Sequence, residues 1–119
     1  MTAAIYHKRL ERVLDRMGGL YALNDILERI AAGKMQSFVE GNSWAICELN
    51  DFPRRRVLDI LAVVGDLKDC RILHDQVLRY ADRVNASLVR ASGRRGWIKD
   101  AESRGWRRHT TNMVYVRDM

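Results

Sequence analysis

The chain is poor in the residues that mark several common classes of protein. It has one proline and two cysteines in 119 residues. It contains no apolar run approaching the roughly 18 residues that a membrane-spanning helix needs. The apolar stretch over 1–6 is too short for a secretory signal. Cys47 and Cys70 are too few for a disulfide framework and read as reduced core thiols, since free cysteine behaves as a small hydrophobe. His7, His74 and His109 are scattered, and none stands at a metal-ligand spacing from a cysteine. His74 reads as a residue at the edge of the core. No G-x-S-x-G elbow, Walker loop or Cys/His nucleophile pattern occurs, so those chemistries have no support. Internal repeats and low-complexity blocks are absent too. With 47% hydrophobic residues, the chain reads as one folded domain over 1–119, which excludes a two-domain enzyme.

What the chain does have is charge, unevenly spread. Arginine dominates, with 17 Arg and 4 Lys against 15 acidic residues, for a net charge of +6. From Val89 onward, eight basic residues meet only Asp100, Glu102 and Asp118, so five of the six excess charges fall in the last quarter. That asymmetry points to an anionic partner: nucleic acid, a phosphorylated cofactor or an acidic protein surface. Arg94, Arg95, Arg104, Arg107 and Arg108 are the candidate contacts. With Arg90 they surround Trp97 and Trp106, a combination that holds phosphates and stacks on bases. The same arginines also make an ordinary solvated face, and the two tryptophans ordinary packing anchors. No helix-turn-helix or zinc-finger signature accompanies them.

Hydrophobic periodicity supplies the elements. Ile5, Leu10, Val13, Leu14 and Met17 lie at helical spacing and predict a helix over 3–17, stopped by Gly18-Gly19. A second helix is expected over about 20–32, with Ile26, Leu27 and Ile30 on its apolar face. Asn24 or Asp25 caps it should it start late, and Gly33 ends it. Over 35–40 the period becomes two, Met35, Ser37 and Val39 alternating with Gln36, Phe38 and Glu40, as in a strand half covered on each face. Gly41-Asn42 is a hairpin signal, and 43–49 is the partner strand. A second turn is expected at Asn50-Asp51-Phe52-Pro53. Residues 56–64 are nearly continuous in Val, Leu and Ile, which predicts a central strand covered on both sides. Gly65-Asp66 leads into the longest helix, about 67–85. Asp66 is its expected N-cap, and Leu67, Cys70, Leu73, Val77, Ala81 and Val84 form its core stripe. A short strand over 88–91, a helix over 96–103 and a last strand over 106–116 follow. Hairpin strands and then strand–helix–strand crossovers give an α/β fold, a mixed central sheet with helices on both faces.

This order of elements resembles the acyl-CoA N-acetyltransferase (GNAT-like) fold. Gly93-Arg94-Arg95-Gly96-Trp97, followed by Ser103-Arg104-Gly105-Trp106, is similar to a group of small bacteriophage proteins built on it. In them a G-R-x-G-W segment opens the last helix, and a G-W or G-F pair opens the last strand. Gly33-Lys34-Met35-Gln36 and Glu48-x4-Pro53 are similar as well. The resemblance covers about residues 20–118. It leaves out the helix over 3–17, whose apolar stripe is expected to serve as a partner-binding extension.

The resemblance implies a coenzyme A pyrophosphate held by backbone amides of an R/Q-x-x-G-x-G/A loop, where the helix after the central strand begins. The matching segment runs from Val64 to Cys70, and Val64, Gly65, Lys68 and Arg71 are the cofactor-binding candidates. This segment keeps one glycine and sets Asp66 and Asp69 beside the phosphates, where carboxylates repel. The resemblance also implies a general base on the sheet. Glu48, between Cys47 and Leu49, fits that role, burial raising its pKa. It equally fits a partly exposed residue paired with an arginine of 54–56. Counting back from Gly105 to the family's general-acid tyrosine gives Ala101, which cannot donate a proton. Tyr115 and Tyr80 are the remaining substitutes.

The expected function is a phage GNAT-like protein with a non-catalytic structural or protein-interaction role, in the virion or the host cytoplasm. Its partner would be a phage or host protein, with no membrane and no metal. It would hold no cofactor, or acetyl-CoA if active. The alternatives are an acetyl-CoA-dependent N-acetyltransferase and a nucleic-acid-binding protein that uses its basic last quarter.

Overall fold

The structure is a computed structural model that describes residues 2–17, 19–92, 95–109 and 115, with side chains for 7–17, 19–92, 99–109 and 115. Two helices, α1 (Thr2–Arg16) and α2 (Leu23–Ala31), precede a meander of β1 (Gln36–Glu40), β2 (Ser43–Asp51) and β3 (Arg56–Val64). A long helix, α3 (Leu67–Arg83), crosses over to β4 (Leu88–Ala91), and α4 (Arg95–Ser103) follows. The strands form one sheet in the order β1-β2-β3-β4. The first three pair antiparallel, and β4 joins β3 in parallel. This is the mixed α/β sheet that the pattern predicts.

Because neighbouring strand residues face opposite ways, β2 and β3 feed two separate cores. On one face, Trp44 and Ile46 of β2 and Ala62 and Val64 of β3 meet Leu10 and Leu14 of α1 and Ile26 of α2. On the other, Ala45, Cys47 and Leu58 meet Leu73, Val77 and Ala81 of α3. Helices on both sides explain why β3 is apolar along almost its whole length. The stripe of α1 is used inside the domain, with Leu10 and Leu14 buried. The stripe expected to meet a partner is thus occupied within the domain itself. Without it, Trp44, Ile46 and Val64 would face water.

Other boundaries differ for local reasons. The cap of α2 is Ala22, neither Asn24 nor Asp25. Asp25 acts from within the first turn, its carboxylate accepting the Ala22 N–H at 2.8 Å. Strand β2 runs two residues further than predicted, because Asn50 and Asp51 pair with Val57 and Arg56. Their side chains also bond across the strands, Asn50 to Asp59 and Asp51 to Arg56, both at 2.7 Å. The reversal falls on 52–55, closed by the Phe52 N–H on the Arg55 carbonyl at 2.8 Å. Strand β1 is covered mainly by α3. Phe38 packs edge-on against Tyr80, whereas Val39 is exposed. Helix α3 stops at Arg83, since Asn85 takes the left-handed φ of 58° that ends helices. Asp66 occupies its N-cap position without a side-chain capping bond. Of the strand expected over 106–116, residues 106–109 and 115 belong to no regular element, and 110–114 and 116 lie outside the described residues.

Candidate functional site

Among the described residues, strand β3 has a neighbour on both sides over 57–60, where β4 runs beside it. Past Ile60 the register with β2 shifts. Ile46 pairs with Ala62 and Cys47 with Ile60, which leaves Leu61 as the extra residue of a β-bulge. Among the described residues, 61–64 have a partner strand on the β2 side alone. Among the described residues the pairing of β3 with β4 thus ends at Ile60, and the chain turns into α3 four residues past that point, after Val64.

The turn itself is tightly determined. Gly65 has φ 131°, and a Cβ there would overlap both the side chain and the backbone of Ser43. Ser43 is fully buried, and its Oγ accepts the Asp66 N–H at 3.0 Å. An amide that a phosphate would use is thus already taken. The Asp66 carboxylate lies 3.9 Å from the Arg9 guanidinium of α1. Asp69, in the first turn of α3, lies against Gly41 of the β1–β2 turn, where a Cβ would come within 2.5 Å of its Oδ2. The positive end of the α3 dipole is flanked by these two carboxylates of its own chain. Of the cofactor-binding candidates, Val64, Gly65 and Lys68 meet at this junction. Val64 is buried toward α1, and Lys68 is exposed. Arg71 is drawn away to α4, where its Nη2 donates to Asp100 at 2.8 Å. The residues present do not fit a pyrophosphate at this turn.

Glu48 is not a free base. The Arg29 Nη2 of α2 donates to its Oε2 at 2.9 Å, and the Asn50 Nδ2 to its Oε1 at 3.3 Å. Directly opposite on β3 stands Asp59. Asp59 accepts from Asn50 at 2.7 Å and from Nε and Nη2 of Arg90 at 2.7 and 3.0 Å. A chain of five polar side chains thus runs from α2 across β2 and β3 to β4. Burial raises the Asp59 pKa, but the Arg90 and Asn50 hydrogen bonds and the Arg90 charge together hold it below the ordinary carboxylate value. The partner expected for Glu48 among 54–56 is not used, because the longer β2 sets Asp59 opposite it. Arg29 offsets the paired acids instead. Both carboxylate oxygens of Glu48 are thus engaged by neighbouring side chains. Tyr115 is 88% exposed, and Tyr80 packs over β1 at the far edge of the sheet. Sequence reasoning missed Arg29, Asn50 and Asp59. The available signal was Asp59, a lone acid inside an apolar strand.

The basic candidates are partly matched. Arg104 shares the Asp100 carboxylate with Arg71, at 3.5 Å, and the Asp100 pKa is lowered chiefly by the Arg71 hydrogen bond. Arg107 and Arg108 are exposed and make no ion pair among the described residues. Arg94 lies outside the described residues, and of Arg95 only its backbone place at the start of α4 is described. Trp106 is a packing anchor, half-buried, its indole N–H donating to His74 Nε2 at 2.9 Å. An indole nitrogen only donates, so the neutral His74 ring carries its proton on Nδ1, facing Asp75 at 3.0 Å. That hydrogen bond is the chief cause of a lowered Asp75 pKa. Both cysteines are free and buried. Burial pushes the Cys47 thiol up to about 12 and raises Cys70 as well, so neither is a ready nucleophile. Among the described residues, no cluster of three or more metal-ligating side chains occurs, and no helix is long and apolar enough to cross a membrane.

No protein-family model matches the chain, and no curated protein is similar to it in sequence. Solved structures are similar in fold. The tetramutant of the BH1408 protein from Bacillus halodurans superposes with a TM-score of 0.68 at 12% identity, over 98% of this chain and 92% of that one. A probable acetyltransferase gives 0.66 at 14% identity, over 98% and 89%. An acetyltransferase of Trypanosoma brucei gives 0.66 at 14% identity, over 93% and 92%. The chain has the GNAT-like acetyltransferase fold, and at these identities the likeness establishes the fold alone.

Proposed function

We propose that this protein keeps the acetyltransferase fold without its catalysis and acts through contacts of its surface with a protein partner. The turn after β3 carries this reading. Its Asp66 amide is bonded to Ser43, and the carboxylates of Asp66 and Asp69 flank the helix end that would receive phosphate. The Arg29 clamp on Glu48 and the exposure of Tyr115 support it further. The likeness of the Gly-Trp segments to small phage proteins favours a phage or host partner, in the virion or the host cytoplasm.

A thermal-shift titration with acetyl-CoA at low and moderate salt tests the reading. A ligand at about 100 times its Kd adds about 2.7 kcal/mol to the stability of the native state, so binding would be plain. The expected result is no change in Tm. A saturable shift that survives salt overturns the reading and favours the alternative, an acetyl-CoA-dependent N-acetyltransferase. The end of the β3–β4 pairing at Ile60, among the described residues, is the observation on that side. Under that alternative, Glu48→Gln abolishes turnover and leaves acetyl-CoA binding intact.

A further inference from the structure

Most charge around the β2–β3 turn is matched locally. Asp51 is bonded by Arg56 at 2.7 Å, and Asp59 by Arg90 at 2.7 and 3.0 Å. Arg54 and Arg55 are surplus. Among the described residues Arg54 and Arg55 make no ion pair, and the Arg55 side chain reaches the Ser87 carbonyl at 3.5 Å. Beside them Phe52 is 47% exposed. The Arg90 guanidinium, clamped by Asp59, lies 5.3 Å from the ring centroid and gives the ring a fixed cationic neighbour. A hollow of about 490 Å³ adjoins the ring, lined by Phe52, Pro53, Val57 and Leu88 together with the three arginines 54, 55 and 90.

We infer that this turn is a binding ledge for single-stranded nucleic acid, with a base stacked on Phe52 and phosphates on Arg54 and Arg55. An exposed ring beside an apolar floor suits the flat face of a base, and guanidinium groups suit phosphate oxygens. The carboxylates of an acidic peptide satisfy the arginines equally but make no use of the ring, whereas every nucleotide brings both a phosphate and a flat base. This ledge lies outside the basic last quarter of the chain, apart from Arg90. It is independent of the function proposed above and holds whether or not acetyl-CoA binds.

The test is fluorescence anisotropy with a labelled oligothymidylate of about 12 nucleotides, read across a salt series on the full chain. The expected result is saturable binding at low salt that Phe52→Ala weakens about tenfold and Phe52→Trp retains. Arg54→Ala with Arg55→Ala lowers the slope of log affinity against log salt by about 1.4, the contribution of two phosphates on a single strand. Arg107→Ala with Arg108→Ala leaves the dependence on Phe52 intact. These positions are exposed, so the variants fold, and their melting temperatures check it. No binding at low salt overturns the inference, as does binding that Phe52→Ala leaves unchanged. Polyglutamate competing as well as the unlabelled oligonucleotide also overturns it, in favour of an acidic peptide.

Discussion

On the α3 face of the sheet the buried side chains are Ala45, Cys47, Leu58, Leu73, Val77 and Ala81, apolar without exception and half of them small. On the other face the core around Leu10, Trp44 and Ile46 gives way, toward the β2–β3 turn, to Arg29, Glu48, Asn50, Asp59 and Arg90. The small residues let α3 lie close over the sheet, and dispersion and burial hold that face. The opposite face is held in part by ion pairs, so its contribution depends on which groups are charged. The buried core under α3 therefore holds no group that titrates in acid, whereas the polar chain over the other face does, and Asp75 and Asp100 add to the acid response from the exposed side of α3 and from α4.

Breaking the dry side has the largest effect. Leu58→Ala removes a fully buried side chain and is expected to cost about 2–5 kcal/mol in urea denaturation, with no pH dependence of its own. Breaking the polar side costs less. Arg29→Ala leaves Glu48 opposite Asp59 without its guanidinium, and about 1–3 kcal/mol is expected at neutral pH. Glu48→Gln costs less again, since the amide oxygen still accepts from Arg29.

The pH profile sharpens the comparison. Asp59 has a folded-state pKa below its ordinary value, so the stability it adds is complete above the unfolded pKa of about 4. That stability is lost as pH falls through the lower folded value. Asp75 and Asp100 are displaced the same way and act in the same window. Denaturation midpoints followed downward from neutral pH should fall there, and Asp59→Asn should flatten part of the fall. Leu58→Ala should lower the whole curve and leave its shape alone. The smallest effect is expected from Arg56→Ala. Its pair with Asp51 is solvent-exposed, so that share of the change should vanish at high salt, while the share from its 2.9 Å bond to the Val84 carbonyl should remain.

The helices and strands were legible wherever a local period governs. The bounds of β3 came from its run of Val, Leu and Ile, and Cys70, Leu73, Val77 and Ala81 of the α3 stripe from three- and four-residue steps, whereas Leu67, expected in that stripe, lies in the first turn of the helix and is 44% exposed. The candidate site was legible only in part. The acids at 66 and 69 announced a poor phosphate turn, but the partner of Glu48 did not follow from the chain. A β2–β3 turn two residues earlier would bring Glu48 toward the arginines of 54–56. The actual turn at 52–55 sets it against Asp59 and leaves Arg54 and Arg55 without an acidic partner among the described residues.

By itself the sequence determined the class of fold and the two-sided burial of β3, since periodicity acts over a few residues. Only the tertiary structure decided that the α1 stripe is covered, that Ser43 takes the Asp66 amide and that Arg29 holds Glu48. Those contacts join residues distant in the chain. Their identity rests on strand register, where a shift of one or two positions exchanges every partner.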